Sequence, residues 1–246
     1  MGKILKIIGL PVLWTIFLAF PLAIITIGLQ HLGLPAAVLD AASAILVDLF
    51  FFAGAIYLAN KEGLLKRELF STVSKQVSLY SFALFLLMAI PLTAFDTFFP
   101  LPDLVLKNIN LSSFSFIIMA VIIAPIGEEL LFRGFVTRIL LNRYSPTKAI
   151  FLSALIFGLI HVNPAQIPGA FLMGLLFGWI FYKTGSIIPG MILHFINNAI
   201  CCIPNIDRYD TTVLNNGMAV LVASVVASAA FVLLFLKAHV EIRRIG

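Results

Sequence analysis

Six polar side chains lie inside apolar stretches in the second half of the sequence. They are two carboxylates, one guanidinium, two imidazoles and one carboxamide: Glu128, Glu129, Arg133, His161, His194 and Asn198. Hydrolysis of a peptide bond needs a base for water, a donor for the developing oxyanion and a proton for the leaving amine. These residue types can supply all three, so we interpret them as one candidate catalytic set.

Helical geometry gives the two glutamates different roles. Neighbouring residues on a helix point about 100° apart, whereas residues i and i+4 share a face. Glu129 therefore lies over Arg133, which predicts an ion pair that supports the site. Glu128 has no local partner and is the better candidate for a reactive carboxylate.

His194 and Asn198 are also four residues apart, so both can address one point. Two histidines and a carboxylate could bind Zn²⁺, but the sequence lacks the His-Glu-x-x-His pattern of helix-borne zinc sites. We therefore expect no metal and no other cofactor, with zinc as the less favoured alternative. Cys201 and Cys202 are adjacent and indicate neither a disulfide nor a metal site.

The composition predicts that these residues lie in a membrane. Apolar residues make up 61% of the 246 residues and charged residues 11%, against about 45–50% and 25% in soluble proteins. Mean hydropathy is +1.10. The +5 net charge is scattered at helix ends and contains no basic run mixed with aromatic residues, so we expect no nucleic-acid partner.

The predicted fold is all-α and polytopic, with about eight transmembrane helices in one domain spanning residues 1–246. The apolar runs cover residues 7–29, 36–59, 77–95, 113–142, 148–162, 166–182, 187–203 and 217–237. Positively charged connections alternate with neutral or acidic ones along the chain. By the positive-inside rule, this alternation predicts that both termini are cytoplasmic.

The predicted helices bring the polar residues to similar depths. With a rise of about 1.5 Å per residue, Glu128 and His161 lie about 22 and 20 Å from the cytoplasmic boundary. His194 and Asn198 lie about 12 and 18 Å from it. Ionisable residues at such depth are costly and are functional candidates by default, so we expect the four to share one cavity.

The three polar groups resemble the motifs of the CPBP family, the CAAX endopeptidases and bacteriocin-processing or self-immunity proteins, also called Abi. The motifs are Glu128-Glu129-x-x-x-Arg133, Phe157-x-x-x-His161 and His194-x-x-x-Asn198. The resemblance covers residues 118–200, with Gly134 after the first motif and Thr184-Gly185-Ser186 before the third.

The resemblance implies an intramembrane endopeptidase with eight helices and a cavity open to the cytoplasm. It implies that Glu128 and His161 activate a water and that His194 and Asn198 stabilise the oxyanion. Glu129 and Arg133 would hold the site in shape. The implied partner is a peptide or protein substrate, membrane-bound or lipidated, within the lipid bilayer of a cell, and the lean loops favour a prokaryotic plasma membrane.

Other polar and aromatic residues near the motifs are weaker candidates. Phe157, Asn163 and Asn197 are candidate substrate contacts. Asp40 and Asp48, in the second apolar run, are interpreted as a structural pairing or the lining of a water-filled crevice.

Two other functions stay open at this stage. A non-catalytic immunity or binding protein would use the polar cluster only to hold helices together. A proton- or cation-coupled transporter would show charges along several spans and repeats in both halves.

Overall fold

The computed structural model describes residues 2–104, 113–203 and 217–242. Over these residues the chain forms eight long helices and no strand: α1 Gly2–His31, α2 Ala36–Lys61, α3 Lys75–Phe98, α4 Phe114–Leu141, α5 Pro146–Leu159, α6 Ile167–Thr184, α7 Ile188–Cys201 and α8 Gly217–Glu241. A short 3-10 helix, Arg67–Phe70, lies between α2 and α3. The all-α fold class is confirmed.

The helices differ in their ability to cross a membrane. By length and composition, six of those in the described residues are candidate spans: α1, α2, α3, α4, α6 and α8. Helices α5 and α7 have 14 residues each, so each is about 21 Å long against a hydrocarbon core of about 30 Å. The predicted eight helices are present, whereas eight full spans and the side of the termini remain predictions.

Local sequence signals explain where several helices begin and end. The hydroxyls of Ser74 and Ser113 accept from backbone N–H groups in the first turns of α3 and α4, at 3.3 Å each. Prolines occupy the first turns of α5, α6 and α7, where a missing N–H is tolerated. Helix α6 ends at Gly185, whose φ of 70° is the left-handed conformation that favours glycine.

Helix α4, which carries both glutamates, is irregular. Residues Ile118–Ile123 and Leu130–Thr137 are π-helical, and the α-helical segment Ala124–Glu129 lies between them. Single π-helical turns occur frequently at functional sites because they re-aim side chains and free carbonyl groups. The two glutamates therefore lie where the backbone register changes twice.

The helices pack as three close pairs, α1 with α2, α5 with α6, and α3 with α8, around α4 and α7. The α5–α6 pair depends on small residues. A Cβ at Gly174 would lie 2.9 Å from Ala154, and one at Gly178 would lie 3.1 Å from Ile150. The two backbones are thus held close together. Phe157 of α5 and Phe177 of α6, which contact the polar cluster, are positioned by this close packing.

The positively charged connections meet at one end of the molecule. Lys3 and Lys6 form ion pairs with Glu62 at 2.9 and 2.8 Å, joining the start of α1 to the end of α2. The Ser186 hydroxyl donates to the Ser71 carbonyl at 2.6 Å, so the α6–α7 connection lies against the α2–α3 connection. This grouping agrees with the charge pattern, and its cytoplasmic location is still a prediction.

Candidate active site

Glu129 lies at the centre of the polar cluster and is completely buried. Its Oε1 accepts from Arg133 Nη1 at 2.7 Å, which is the predicted ion pair between residues i and i+4. The same oxygen accepts from His194 Nδ1 at 3.2 Å. Glu129 therefore joins α4 to α7, and a carboxylate acceptor requires that Nδ1 of His194 carries the hydrogen.

Arg133 is 1% exposed and is held by aromatic rings as well as by Glu129. Its guanidinium carbon lies 4.4 Å from the ring centroid of Phe157 and 5.3 Å from that of Phe177. The same rings lie 6.0 and 6.1 Å from the imidazole of His194. The faces of the rings stabilise the cation, and the two aromatic residues position both Arg133 and His194.

Glu128 lies on the other side of the His194 imidazole from Glu129, facing Nε2 rather than Nδ1, and its side chain is 23% exposed. Its Oε2 lies 3.9 Å from His194 Nε2, which is too far for a direct hydrogen bond. This oxygen is buried and has no hydrogen-bond partner among the described residues. A carboxylate oxygen and an imidazole nitrogen thus face each other across a gap.

Two glycines allow the helices to approach these carboxylates. A Cβ at Gly190 in α7 would lie 2.7 Å from Glu129 Oε2. A Cβ at Gly127 would lie 2.5 Å from the ring of Phe52 in α2. Any larger residue would displace the carboxylate or the ring, so both glycines are part of the site.

Asn198 lies one turn beyond His194 and binds the irregular part of α4. Its Nδ2 donates to the Ala120 carbonyl at 2.7 Å, and its Oδ1 accepts from Asn197 Nδ2 at 3.1 Å. In the π-helical register this carbonyl would face the nitrogen of Pro125, which has no hydrogen to donate. Asn198 satisfies the carbonyl and keeps a second amide hydrogen.

His161 departs from the position predicted for it. The sequence places it on a helix over residues 148–162, but α5 ends at Leu159 and His161 lies in the following turn. Its Nδ1 donates to the Phe157 carbonyl at 2.8 Å, and its ring lies 5.1 Å from the Phe157 ring. The next residue, Val162, has a φ of 53°, an unusual conformation for a β-branched residue.

His161 and His194 therefore both contact the ring of Phe157, with ring centroids 5.1 and 6.0 Å away. No ion pair or hydrogen bond joins His161 to Glu128 or Glu129, all of which lie in the described part of the chain. The structure thus joins Glu129, Arg133 and His194 by direct hydrogen bonds, and Glu128 faces His194 at 3.9 Å. His161 adjoins that group through Phe157.

Asn163 is fully buried and fixes a neighbouring loop. Its Nδ2 donates to Asp103 Oδ1 at 2.9 Å and to Gln166 Oε1 at 3.0 Å. Its Oδ1 accepts from the Leu104 N–H at 3.0 Å. Its role as a substrate contact, like that of Asn197 and Phe157, stays a prediction.

Asp48, expected from the sequence to be a structural or crevice-lining residue, is a neighbour of the site. It interacts electrostatically with Glu128, and Phe52, one turn further along α2, contacts Gly127. The depth of Asp48 in the membrane could have indicated that it lies near Glu128. Asp48 lies 13 residues before Lys61, a distance of about 20 Å along a helix, which is close to the depth predicted for Glu128. Asp40, in contrast, accepts a hydrogen bond from Gln30 at 3.1 Å, a structural pairing.

In the described ranges, no group of three His, Cys, Asp or Glu residues has the spacing that would hold a metal ion.

The fold and the cluster define a polytopic helical membrane protein with a buried cluster of ionisable side chains. Residues 110–200 match the model of a family described as type II CAAX prenyl endopeptidase, Rce1-like. This segment contains all three motifs and confirms the resemblance to the CAAX proteases of the CPBP family. No curated protein and no solved structure matches the chain significantly.

Proposed function

We propose that this protein is an intramembrane endopeptidase in which Glu128 activates the attacking water. The family match supports a protease of the CAAX type. The observation that carries the mechanism is the gap of 3.9 Å between Glu128 Oε2 and His194 Nε2. We place the attacking water beside the line that joins these two atoms, within hydrogen-bond distance of both at about 2.8 Å.

Hydrogen-bond geometry supports a donor role for His194. Its Nδ1 is engaged by Glu129, so its Nε2 is the ring nitrogen that faces Glu128 across the gap. A hydrogen on Nε2 would point toward the gap, where it would stabilise an oxyanion.

Asn198 and His161 complete the proposed machinery. The free amide hydrogen of Asn198 is a second donor for the oxyanion and requires no charged group. His161 donates through Nδ1 to a backbone carbonyl, so its Nε2 is available to accept a proton. We assign His161 to activation of the water with Glu128 and to proton return, and it reaches the reacting atoms through bound water.

The proposed reaction needs no metal ion. Glu128 accepts a proton from water, the resulting hydroxide attacks the scissile carbonyl, and the leaving amine takes the proton back. The support is the donor set, in which Glu129 is already engaged by Arg133 and His194. Activity should therefore survive thorough chelation.

The proposed substrates are peptides or proteins held at the membrane, and prenylated CAAX sequences are the class to test first. The proposed location is a prokaryotic plasma membrane, with the cavity open to the cytoplasm. The site lies on α4, which is long enough to span the membrane, on the shorter helix α7 and on the turn after the shorter helix α5. The scissile bond would therefore enter the site from one face of the membrane.

A reconstituted assay tests this function. Purified wild-type protein is incubated with two reporter peptides of one CAAX sequence, one prenylated and one not, with and without a zinc chelator. We expect cleavage that persists under chelation and falls at least about 100-fold in Glu128→Gln. Cleavage abolished by chelation and restored by zinc would overturn the metal-free mechanism.

The matched control is Glu68→Gln. Glu68 is an exposed glutamate in the α2–α3 connection, remote from the polar cluster. It should leave cleavage unchanged. If Glu128→Gln and Glu68→Gln cleave equally well, Glu128 is not the base.

A further inference from the structure

An apolar groove of about 940 Å³ lies between the α3–α8 pair and the α5–α6 pair. Aromatic and aliphatic side chains from all four helices line it, among them Leu92, Phe151, Leu172, Trp179 and Phe231. This volume is within the range of about 300–1,000 Å³ that small-molecule ligands occupy. The groove is therefore large enough for lipid chains.

The groove is separate from the candidate active site. None of the polar residues of the site lines it, and neither does Phe157 or Phe177. On α6, Gly174 and Gly178 pack against α5 and close the space between those two helices. The occupant of the groove therefore does not reach Glu128 between α5 and α6.

One end of the groove is polar and lies beside a buried cation that does not itself line the groove. Trp179 and His239 line that end, and Trp179 Nε1 donates to His239 Nδ1 at 3.2 Å. Lys183 lies one turn beyond Trp179 on the same face of α6. Its Nζ donates to the His239 carbonyl at 2.6 Å.

Lys183 is 7% exposed and lacks a carboxylate partner in the part of the chain that the structure describes. One of its three hydrogens goes to the His239 carbonyl. A buried ammonium without an anion is costly, whereas an anionic group at the end of the groove would neutralise it. The charge thus matches an acidic headgroup, and the lining matches acyl chains.

We propose that this groove binds an anionic phospholipid, with its acyl chains between the two helix pairs and its phosphate at the polar end, beside Lys183. Basic pockets between transmembrane helices bind acidic headgroups in this manner. The lipid comes from the leaflet at the Lys183 end, which the charge pattern predicts to be cytoplasmic. The bound lipid joins α6 to α8 across a region where their side chains do not fill the space.

Fluorescence quenching by brominated lipids tests the proposal. The chain has two tryptophans, so Trp14→Phe leaves Trp179 as the only one. This variant is reconstituted in phosphatidylcholine containing either dibrominated phosphatidylglycerol or dibrominated phosphatidylcholine. We expect the anionic quencher to act at a several-fold lower mole fraction. Equal quenching by both lipids would overturn the proposal, because the groove would then be an ordinary lipid-facing surface.

Two variants assign the preference to Lys183. Lys183→Gln in the Trp14→Phe background should abolish the preference for the anionic lipid. Lys237→Gln, which removes an exposed lysine of α8, should retain it. A preference that survives Lys183→Gln would contradict the assignment. If Lys183→Gln does not fold, the comparison of the two lipids in Trp14→Phe alone still decides whether the site selects an anion.

Competition identifies the alternative occupant. Addition of a prenylated peptide should leave quenching of Trp179 by the anionic lipid unchanged. Loss of quenching as the peptide is added would show that the groove holds the prenyl chain of a substrate and would overturn the lipid assignment. Neither measurement depends on proteolytic activity, so failure of the proposed function would not affect this test.

Discussion

Glu128 and Glu129 are adjacent in the sequence but have different environments. Glu129 is buried and binds Arg133 and His194, whereas Glu128 is partly exposed and has an oxygen without a hydrogen-bond partner. The first arrangement holds two helices together, and the second leaves a carboxylate available for chemistry. Substitution of Glu129 should therefore affect the stability of the fold, and substitution of Glu128 should affect cleavage.

Glu129→Gln should destabilise the fold, whereas Glu128→Gln should not. Loss of the Glu129 charge leaves Arg133 buried without its counterion, which costs on the order of 3–5 kcal/mol. Glu128→Gln should abolish cleavage with the unfolding temperature nearly unchanged. Thermal unfolding and peptide cleavage of both variants check this pair, and equal unfolding temperatures for the two would contradict it.

Gly190→Ala should damage the site through the Glu129 carboxylate. The added Cβ would lie 2.7 Å from Oε2, and overpacking of this kind costs about 1–3 kcal/mol. Gly169→Ala is the control, because its Cβ would lie 3.4 Å from Leu92, an ordinary contact. Unfolding and cleavage measurements should show a loss for Gly190→Ala alone. A harmless Gly190→Ala would mean that the helices tolerate separation.

At the scale of elements, the π-helical start of α4 is coupled to α7 by one side chain. Asn198 satisfies the Ala120 carbonyl, which Pro125 cannot. The backbone of α4 therefore changes its hydrogen-bond register just before the glutamates. Asn198 of α7 supplies the hydrogen bond that this change removes from the Ala120 carbonyl.

A double-mutant cycle tests this coupling. Asn198→Ala should cost about 1 kcal/mol, because it removes the hydrogen bond to the part-buried Ala120 carbonyl. Pro125→Ala restores a backbone N–H, so the same Asn198→Ala change should cost less in that background. Unfolding free energies of the four proteins give the coupling. Additive effects would show that Asn198 does not replace the missing N–H.

The sequence predicts the parts of the site that depend on helical periodicity, and tertiary packing decides the rest. The Glu129–Arg133 pair follows from the i, i+4 spacing, and the structure confirms it. The early end of α5, which removes His161 from the helix, and the Ala120–Asn198 bond depend on contacts between distant segments. The proximity of Asp48 to Glu128 does not follow from helical spacing, because no local pattern links α2 to α4.

At the scale of the whole molecule, two ion pairs join the start of α1 to the end of α2 at the positively charged end. Lys6 and Lys3 hold the pKa of Glu62 at about 2, below its ordinary value of 4.5. Because the pKa is lowered on folding, the stabilisation is complete above pH 4.5 and is lost as the pH falls toward 2.

Glu62→Gln should therefore lower the unfolding temperature slightly at pH 7, and the difference from wild type should shrink between pH 4.5 and 2. The effect is small because exposed pairs are screened by solvent. Thermal unfolding across this pH range checks the sign, with Glu68→Gln as the control. A difference that grows at low pH would contradict the ion-pair assignment.

The central claim is that the chain is an endopeptidase that depends on Glu128. The most direct test compares cells carrying wild-type protein with cells carrying Glu128→Gln at equal membrane abundance, by mapping new N- and C-termini in membrane and secreted peptides. We predict cleavage products that occur only with the wild type, which would also identify a substrate. Identical termini in both, across several growth conditions, would contradict proteolysis and favour a binding or immunity role.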